Sequence, residues 1–258
     1  MRNTDLQAFG APNRYVQGRD ATYELAAELL ALGIEGPVGI ITGKTAQKAL
    51  SSVWEKTFKE ANISYTLAYF QGESSRNEAN RLATFFQKEK IVAIIGSGGG
   101  KTLDTTRIVA EMLKLPVILC PSTASNDSPC FSSSHIYSED GEYEETVYMK
   151  KNPLLVLVDT TMIAEGSARH LACGMAEAVA AYVEGLTCKA SSAKNLLGAN
   201  RCMIGEFISK GCFETIINYG RLALDAVKCK SITSALEKVV EANILLSGMA
   251  AESYGTAA

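Results

Sequence analysis

The sequence predicts an α/β protein in two parts: a Rossmann-like, parallel-sheet nucleotide-binding domain over residues 1–160 and an all-helical domain over residues 161–258. Three observations predict it. Up to Asp159, short apolar runs of strand length alternate with segments of helical period, a rhythm that favours a parallel sheet covered on both faces and joined by right-handed crossovers. One of those apolar runs passes straight into four glycines and a lysine. Beyond Asp159 the chain is rich in alanine and leucine and shows no convincing strand.

In chain order, the pattern gives a strand over residues 38–42, a helix over 46–61, a strand over 65–70 and a helix over 77–88. The next strand contains Val92, Ile94 and Ile95, in an apolar run too short for a stable helix. It meets Gly96, Gly98, Gly99, Gly100 and Lys101, after which Ile108, Val109, Met112 and Leu113 repeat at helical spacing. A strand over 117–120 leads into PSTASNDSPCFSSS, a loop of small hydroxyl residues at the same sheet edge. Residues 136–138 and 144–149 flank a SEDGEY turn in which Asp140-Gly141 signals a hairpin. A last strand over 154–158 ends in Asp159. Ligands of such sheets bind at the carboxyl ends of the strands.

Composition narrows the partners. The 258 residues, 47% of them hydrophobic, fill one large or two modest domains. A net charge of −3 and the lack of a dense Lys/Arg cluster argue against nucleic acid or an anionic membrane as partner and favour a small molecule. No apolar run approaches the ~20 residues of a membrane span, and the N-terminal MRNTDLQAFGAPNRY has no signal-peptide core, so a cytoplasmic location is expected. Seven cysteines without a CxxC pair read as reduced thiols, with Cys130 near the candidate site.

The glycine loop reads as a nucleotide-phosphate site. Without Cβ atoms, Gly98, Gly99 and Gly100 let backbone amides approach a pyrophosphate, the following helix aims its positive end at the anion, and Lys101 adds a charge. The Walker A pattern fails because Ile95 stands where its first glycine belongs. The dinucleotide fingerprint fails because Lys101 stands at its third glycine. A tight strand-to-helix turn without ligand is the plainer alternative.

The order GGGKTLDT, PSTASNDSPCFSSSHIY, NPLLVLVDT, LACGMAEAVAAYVEG and ALEKVVEANILLSG resembles the glycerol dehydrogenase branch of the iron-containing (group III) alcohol dehydrogenases along essentially the whole chain. The resemblance implies an N-terminal nucleotide-binding domain, a C-terminal helical domain, a divalent metal (zinc or iron) and oxidation of an alcohol or polyol with NAD or NADP. It puts the cofactor on Gly98, Gly99, Gly100, Lys101 and Asp104, and on Ser122, Ser125, Phe131, Ser133 and Tyr137. It assigns Asp127 to the polyol substrate, a role a carboxylate suits because it accepts hydrogen bonds from vicinal hydroxyls. An Asx-type turn residue is the alternative for Asp127.

Departures from the family pattern carry their own expectations. NAD-using members have an aspartate where this chain has Gly43. An acid there grips the ribose 2′-hydroxyl and repels a 2′-phosphate, so Gly43 followed by Lys44 leans toward NADP, unless Lys44 is only a solvated helix-start residue. The first metal ligand, an aspartate in the family, corresponds to Glu177 in GMAEA, whose longer side chain shifts the oxygen and weakens metal binding. The family's two histidine ligands follow the LSG motif, and residues 249–258 contain neither. His135 and His170 are poor substitutes, since the seven residues from His170 to Glu177 are about 10 Å of helical rise. Two functions therefore stand open: a dehydrogenase, acting with or without another polypeptide, and a nucleotide-binding relative without catalysis. Apolar faces at Val239, Val240, Ile244 and Leu245 are expected to need cover, which points to a homo-oligomer or a partner.

Overall fold

The computed structural model describes residues 6–255. Contacts divide the described residues into two compact units, an α/β unit of residues 13–122 and 133–159 and a helical unit of residues 6–12, 123–132 and 160–255. Thr123–Ser132, which lies in sequence among the strands, thus packs with the helices.

In the α/β unit, six parallel strands form one sheet: β1 (Arg14–Gly18), β2 (Val38–Thr42), β3 (Tyr65–Tyr69), β4 (Ala93–Gly98), β5 (Val117–Pro121) and β8 (Leu155–Asp159). Their order is β1-β8-β5-β4-β2-β3. Strands β2, β4 and β8 are buried at every residue, as expected of strands covered on both faces, and this is why they read as continuous apolar runs. Helices α1 (Leu25–Ala31), α2 (Lys44–Glu60), α3 (Arg76–Phe86) and α4 (Gly100–Leu113) connect them. Ile41, Leu82, Phe86, Ile94, Val109 and Ile136 belong to one buried cluster on the side where α3 packs on α4.

The path reverses in the middle of the sheet. From β2 the chain crosses outward to β3, whereas from β4 it crosses the opposite way to β5. With right-handed crossovers, α2 and α4 lie on opposite faces, and the carboxyl ends of β2 and β4 open on a crevice. Thr42 and Ser97 are paired in register at that point.

The structure corrects several sequence expectations. Strand β1 and helix α1 were not evident from the pattern: RYVQG is half-buried throughout, and its partner β8 lies about 140 residues away. The hairpin of β6 (Ser133–Tyr137) and β7 (Tyr143–Tyr148) begins at Ser133 rather than residue 136, because Ser133 and Ser134 pair with Tyr148 and Val147. In the helical unit α5 (Thr160–Ala164), α6 (Ala168–Ser191), α7 (Met203–Lys228), α8 (Ser234–Glu241) and α9 (Ser247–Tyr254) are separated by turns, and a π-helical segment, Ala242–Leu246, joins α8 to α9. Val239, Val240 and Ile244 are fully buried, so three of the four residues expected to need cover have it. None of the seven cysteines is in a disulfide.

Candidate functional site

In the α/β unit, the end of β4 and the start of α4 form the candidate phosphate site. The glycines there have different jobs. A Cβ on Gly96 would lie 2.5 Å from Thr106 Oγ1, and one on Gly98 would lie 2.9 Å from the Thr102 side chain. Both glycines let α4 pack closely on its own strand, so at Gly98 packing alone already requires a residue without a Cβ. Gly99 differs, for nothing lies within 4 Å of the position its Cβ would take. As the N-cap of α4 it offers no side chain to the first-turn amides, which leaves donors and the positive dipole end available to an anion.

The neighbouring strand ends the same way. Gly43 is the N-cap of α2, again with no side-chain cap and with open space at its Cβ position, and Lys44 follows it, exposed. Two uncapped helix starts thus sit at the ends of adjacent strands where the topology reverses. The buried hydroxyl of Ser97, at the end of β4, has no partner among the described residues. Ser122 closes the far side of the loop, its N–H donating to the Gly98 carbonyl at 2.9 Å.

Lys101 is not a free cation: it is ion-paired with Glu73, in the β3–α3 connection. Asp104 is buried and ion-paired with Arg107, itself buried and bonded to Ser134 Oγ at 2.9 Å. Burial raises the Asp104 carboxyl and the Arg107 charge opposes that rise. On β6, Ser133 is buried, His135 Nδ1 contacts Thr146 Oγ1 at 3.0 Å, and the ring of Tyr137 meets Tyr143 edge-on. Glu73 carried no sequence signal, because its partner lies 28 residues away, whereas Arg107 stands 3 residues from Asp104, a spacing that a helix makes legible.

In the helical unit, the Thr123–Ser132 loop is held by two glycines and the π segment. A Cβ on Gly174 would lie 2.2 Å from the Ala124 carbonyl, and one on Gly248 would lie 2.8 Å from the Asp127 carbonyl. Asn243, in the π segment, donates to the carbonyls of Ala124 at 2.9 Å and Leu171 at 3.1 Å. The extra residue of a π turn re-aims side chains in this way. Asp127 is fully enclosed, and its Oδ2 accepts from Ser247 Oγ at 2.6 Å. Glu252 fixes the loop's end by accepting from the N–H of Ser132 at 3.0 Å. Ser125 contacts Thr123 Oγ1 at 3.1 Å, and the ring of Phe131 lies against Gly248. Cys130 is buried in the same loop.

Asp127 also shares a hydrogen bond with Glu177 of α6. Burial raises Asp127, and the bonds from Ser247 and Glu177 oppose it. Enclosure of its carboxyl, then the Asp127 charge, push Glu177 up to about 9. The residue as a whole is exposed, so solvent tempers the enclosure effect, and its pairing with Asp127 is the better-founded cause. Two carboxyls this close hold one proton between them. An acid raised in the folded state favours folding most below its unfolded pKa and loses that contribution as pH rises through the folded value. Chemical denaturation should therefore show stability falling between about pH 4.5 and about 9, and Glu177→Gln should flatten that slope. A slope unchanged by the substitution would contradict the shared proton.

The family model for iron-containing alcohol dehydrogenases matches residues 12–160, more than half of the sequence. The chain belongs to that family. Over 247 residues it is 40% identical to the glycerol dehydrogenase of Thermotoga maritima, covering 96% of this chain and 67% of the relative. Over 248 residues it is 36% identical to an Escherichia coli glycerol dehydrogenase, again covering 96% and 67%. The crystal structure of glycerol dehydrogenase from Schizosaccharomyces pombe superposes with a TM-score of 0.91 at 29% identity, over 98% of this chain and 64% of that one. The chain thus spans about two thirds of the length of these relatives. As an iron-containing alcohol dehydrogenase it is expected to hold a metal, and its donors test that expectation. Among the described residues no three His, Cys, Asp or Glu side chains converge, and Asp127 and Glu177 already bond to each other. Three protein ligands are what a catalytic zinc takes. These residues do not fit a complete metal site, and no step is derived through one. His170 is exposed on α6, the helix that also carries Glu177.

Proposed function

We propose that this iron-containing alcohol dehydrogenase is an NAD(P)-dependent oxidoreductase acting on a small polyol, as the names of its glycerol dehydrogenase relatives suggest. The observation that carries the reading is the pair of uncapped, glycine-started helices α2 and α4 at the strand-order reversal, an arrangement suited to the pyrophosphate of a dinucleotide. The amides following Gly99 would hold the pyrophosphate, with Lys101 beside them. Ser122, Ser133 and Tyr137 would contact the remainder of the cofactor. Asp104, enclosed with Arg107, would act by fixing the first turns of α4. When bound, the nicotinamide supplies a hydride acceptor. Asp127 would accept a hydrogen bond from a substrate hydroxyl, and the single negative charge that it shares with Glu177 would let the pair take up the hydroxyl proton. An assay of NAD(P)⁺ reduction with glycerol and other vicinal diols tests the reading, and absence of turnover on every diol would count against it.

The 2′-phosphate form of the cofactor fits Gly43 and Lys44 better, since no acid repels it at that helix start. Gly43→Asp has room in the fold and should shift preference toward NADH by about 1–3 kcal/mol, comparable to other charge-assisted contacts. Tighter binding of NADH than NADPH by the unmodified chain would overturn this preference.

We also infer a homo-oligomer. Met203 and Phe207 are 71% and 65% exposed on α7, and Val183 is 55% exposed on α6. Large apolar side chains concentrated on two packed helices favour association. Sedimentation velocity should show a dimer or larger species, and a dispersed monomer would contradict it. Among the described residues only α6 is long and apolar enough to cross a membrane, and its buried face packs against α7 and α9.

A further inference from the structure

Glu73 lies in QGESS, a connection without periodicity, yet its carboxylate pairs with the lysine of the candidate phosphate site. Its Oε1 accepts from Lys101 Nζ, while its Oε2 is buried without a partner among the described residues. The two side chains are unequally free: Lys101 is 54% exposed and Glu73 is 20% exposed.

The surroundings of Glu73 hold it in place. A Cβ on Gly141, in the tip of the β6–β7 hairpin, would lie 3.7 Å from Glu73 Oε1. Next to it, the N–H of Tyr137 donates to the Ser74 carbonyl at 2.9 Å, and Ser74 Oγ donates to the His135 carbonyl at 3.1 Å. The hairpin is thereby tied to the β3–α3 connection on both sides of the carboxylate. The phenol of Tyr137 feels both charges, raised by Glu73 and lowered by Lys101, though burial is the larger cause of its upward shift. When an anion approaches α4, the lysine is free to turn toward it and the glutamate is not. The site then keeps a fixed negative charge beside the ligand.

Such a charge acts unequally on different phosphates. In a dinucleotide each phosphorus is a diester with one charge, whereas a terminal phosphate carries about −1.5 to −2 at neutral pH. Repulsion grows in proportion to ligand charge, while the backbone amides after Gly99 serve either ligand. We propose that Glu73 is a specificity-determining residue that biases this site toward the pyrophosphate diester of a dinucleotide and against the terminal phosphates of free nucleoside di- and triphosphates. The proposal rests on the reading of the site as a dinucleotide site.

Calorimetric titration of the full chain with NADH, ADP and ATP tests it. Glu73→Gln keeps the shape of the side chain and should tighten ADP and ATP by about three- to fivefold, the range of a partly exposed charge interaction, while tightening NADH by less than about twofold. Lys101→Met leaves the glutamate unmasked and should move the ratio the opposite way, weakening ADP and ATP more than NADH. If the unmodified chain binds NADH and neither substitution moves the ratio, or NADH gains as much as ADP, the assignment of Glu73 is overturned and the dinucleotide reading stands. If the unmodified chain binds no NADH, both are overturned.

Discussion

Gly99→Leu is expected to abolish binding of NADH and NADPH while leaving the fold intact. The backbone at Gly99, φ −83° and ψ 179°, is one that any residue adopts, and nothing lies within 4 Å of its Cβ position. The substitution should therefore cost no more than about 1 kcal/mol of unfolding free energy, the loss expected when an apolar residue replaces glycine at an N-cap. The space a leucine would fill is the space over the first amides of α4, where an anion would have to come. Gly96→Ala provides the contrast. Its Cβ would meet the buried Thr106 side chain at 2.5 Å, so it should cost about 1–3 kcal/mol of stability through overpacking. Comparing melting temperature and cofactor affinity for the two variants separates the roles. Equal loss of stability in both would show that Gly99 is only a packing glycine.

Asp127→Asn is expected to lower kcat/KM for polyol oxidation by about 10²- to 10⁴-fold, the range of a lost acid–base group, with NADH affinity unchanged. The substitution preserves size in an enclosed position where Ser247 already donates at 2.6 Å, and it removes the charge that shares a proton with Glu177. Steady-state rates alongside equilibrium cofactor titration check both halves of the expectation. Turnover undiminished by Asp127→Asn would reduce the residue to a loop-forming one.

The parts of this molecule legible in the sequence are those whose cause is local. The glycine run at residues 96–100 announces a strand-to-helix junction because a buried strand, four glycines and an amphipathic helix follow one another directly. The five ordered motifs carried the family, and the match over residues 12–160 agrees with them. What the sequence hides is set by distant partners. Strand β1 is an edge strand completed by β8, and its half-buried residues show no clean alternation. Gly98 and Gly99 are neighbours of the same type, yet one admits Thr102 and the other faces open space, a distinction that only the packing of α4 on β4 creates. Glycines 174 and 248, each within a motif, exist to seat a loop some 50 and 120 residues away from them in sequence. Glu73 and Ser247 likewise acquire their roles through partners 28 and 120 residues distant.

The central claim is that the start of α4 holds a nicotinamide dinucleotide. Calorimetric titration of the unmodified chain with NADH and with NADPH tests it most directly. Saturable heat from at least one of them, accompanied by a rise in melting temperature as expected when a ligand binds only the folded state, is the predicted result. No heat and no thermal stabilisation from either cofactor at millimolar concentration would contradict it.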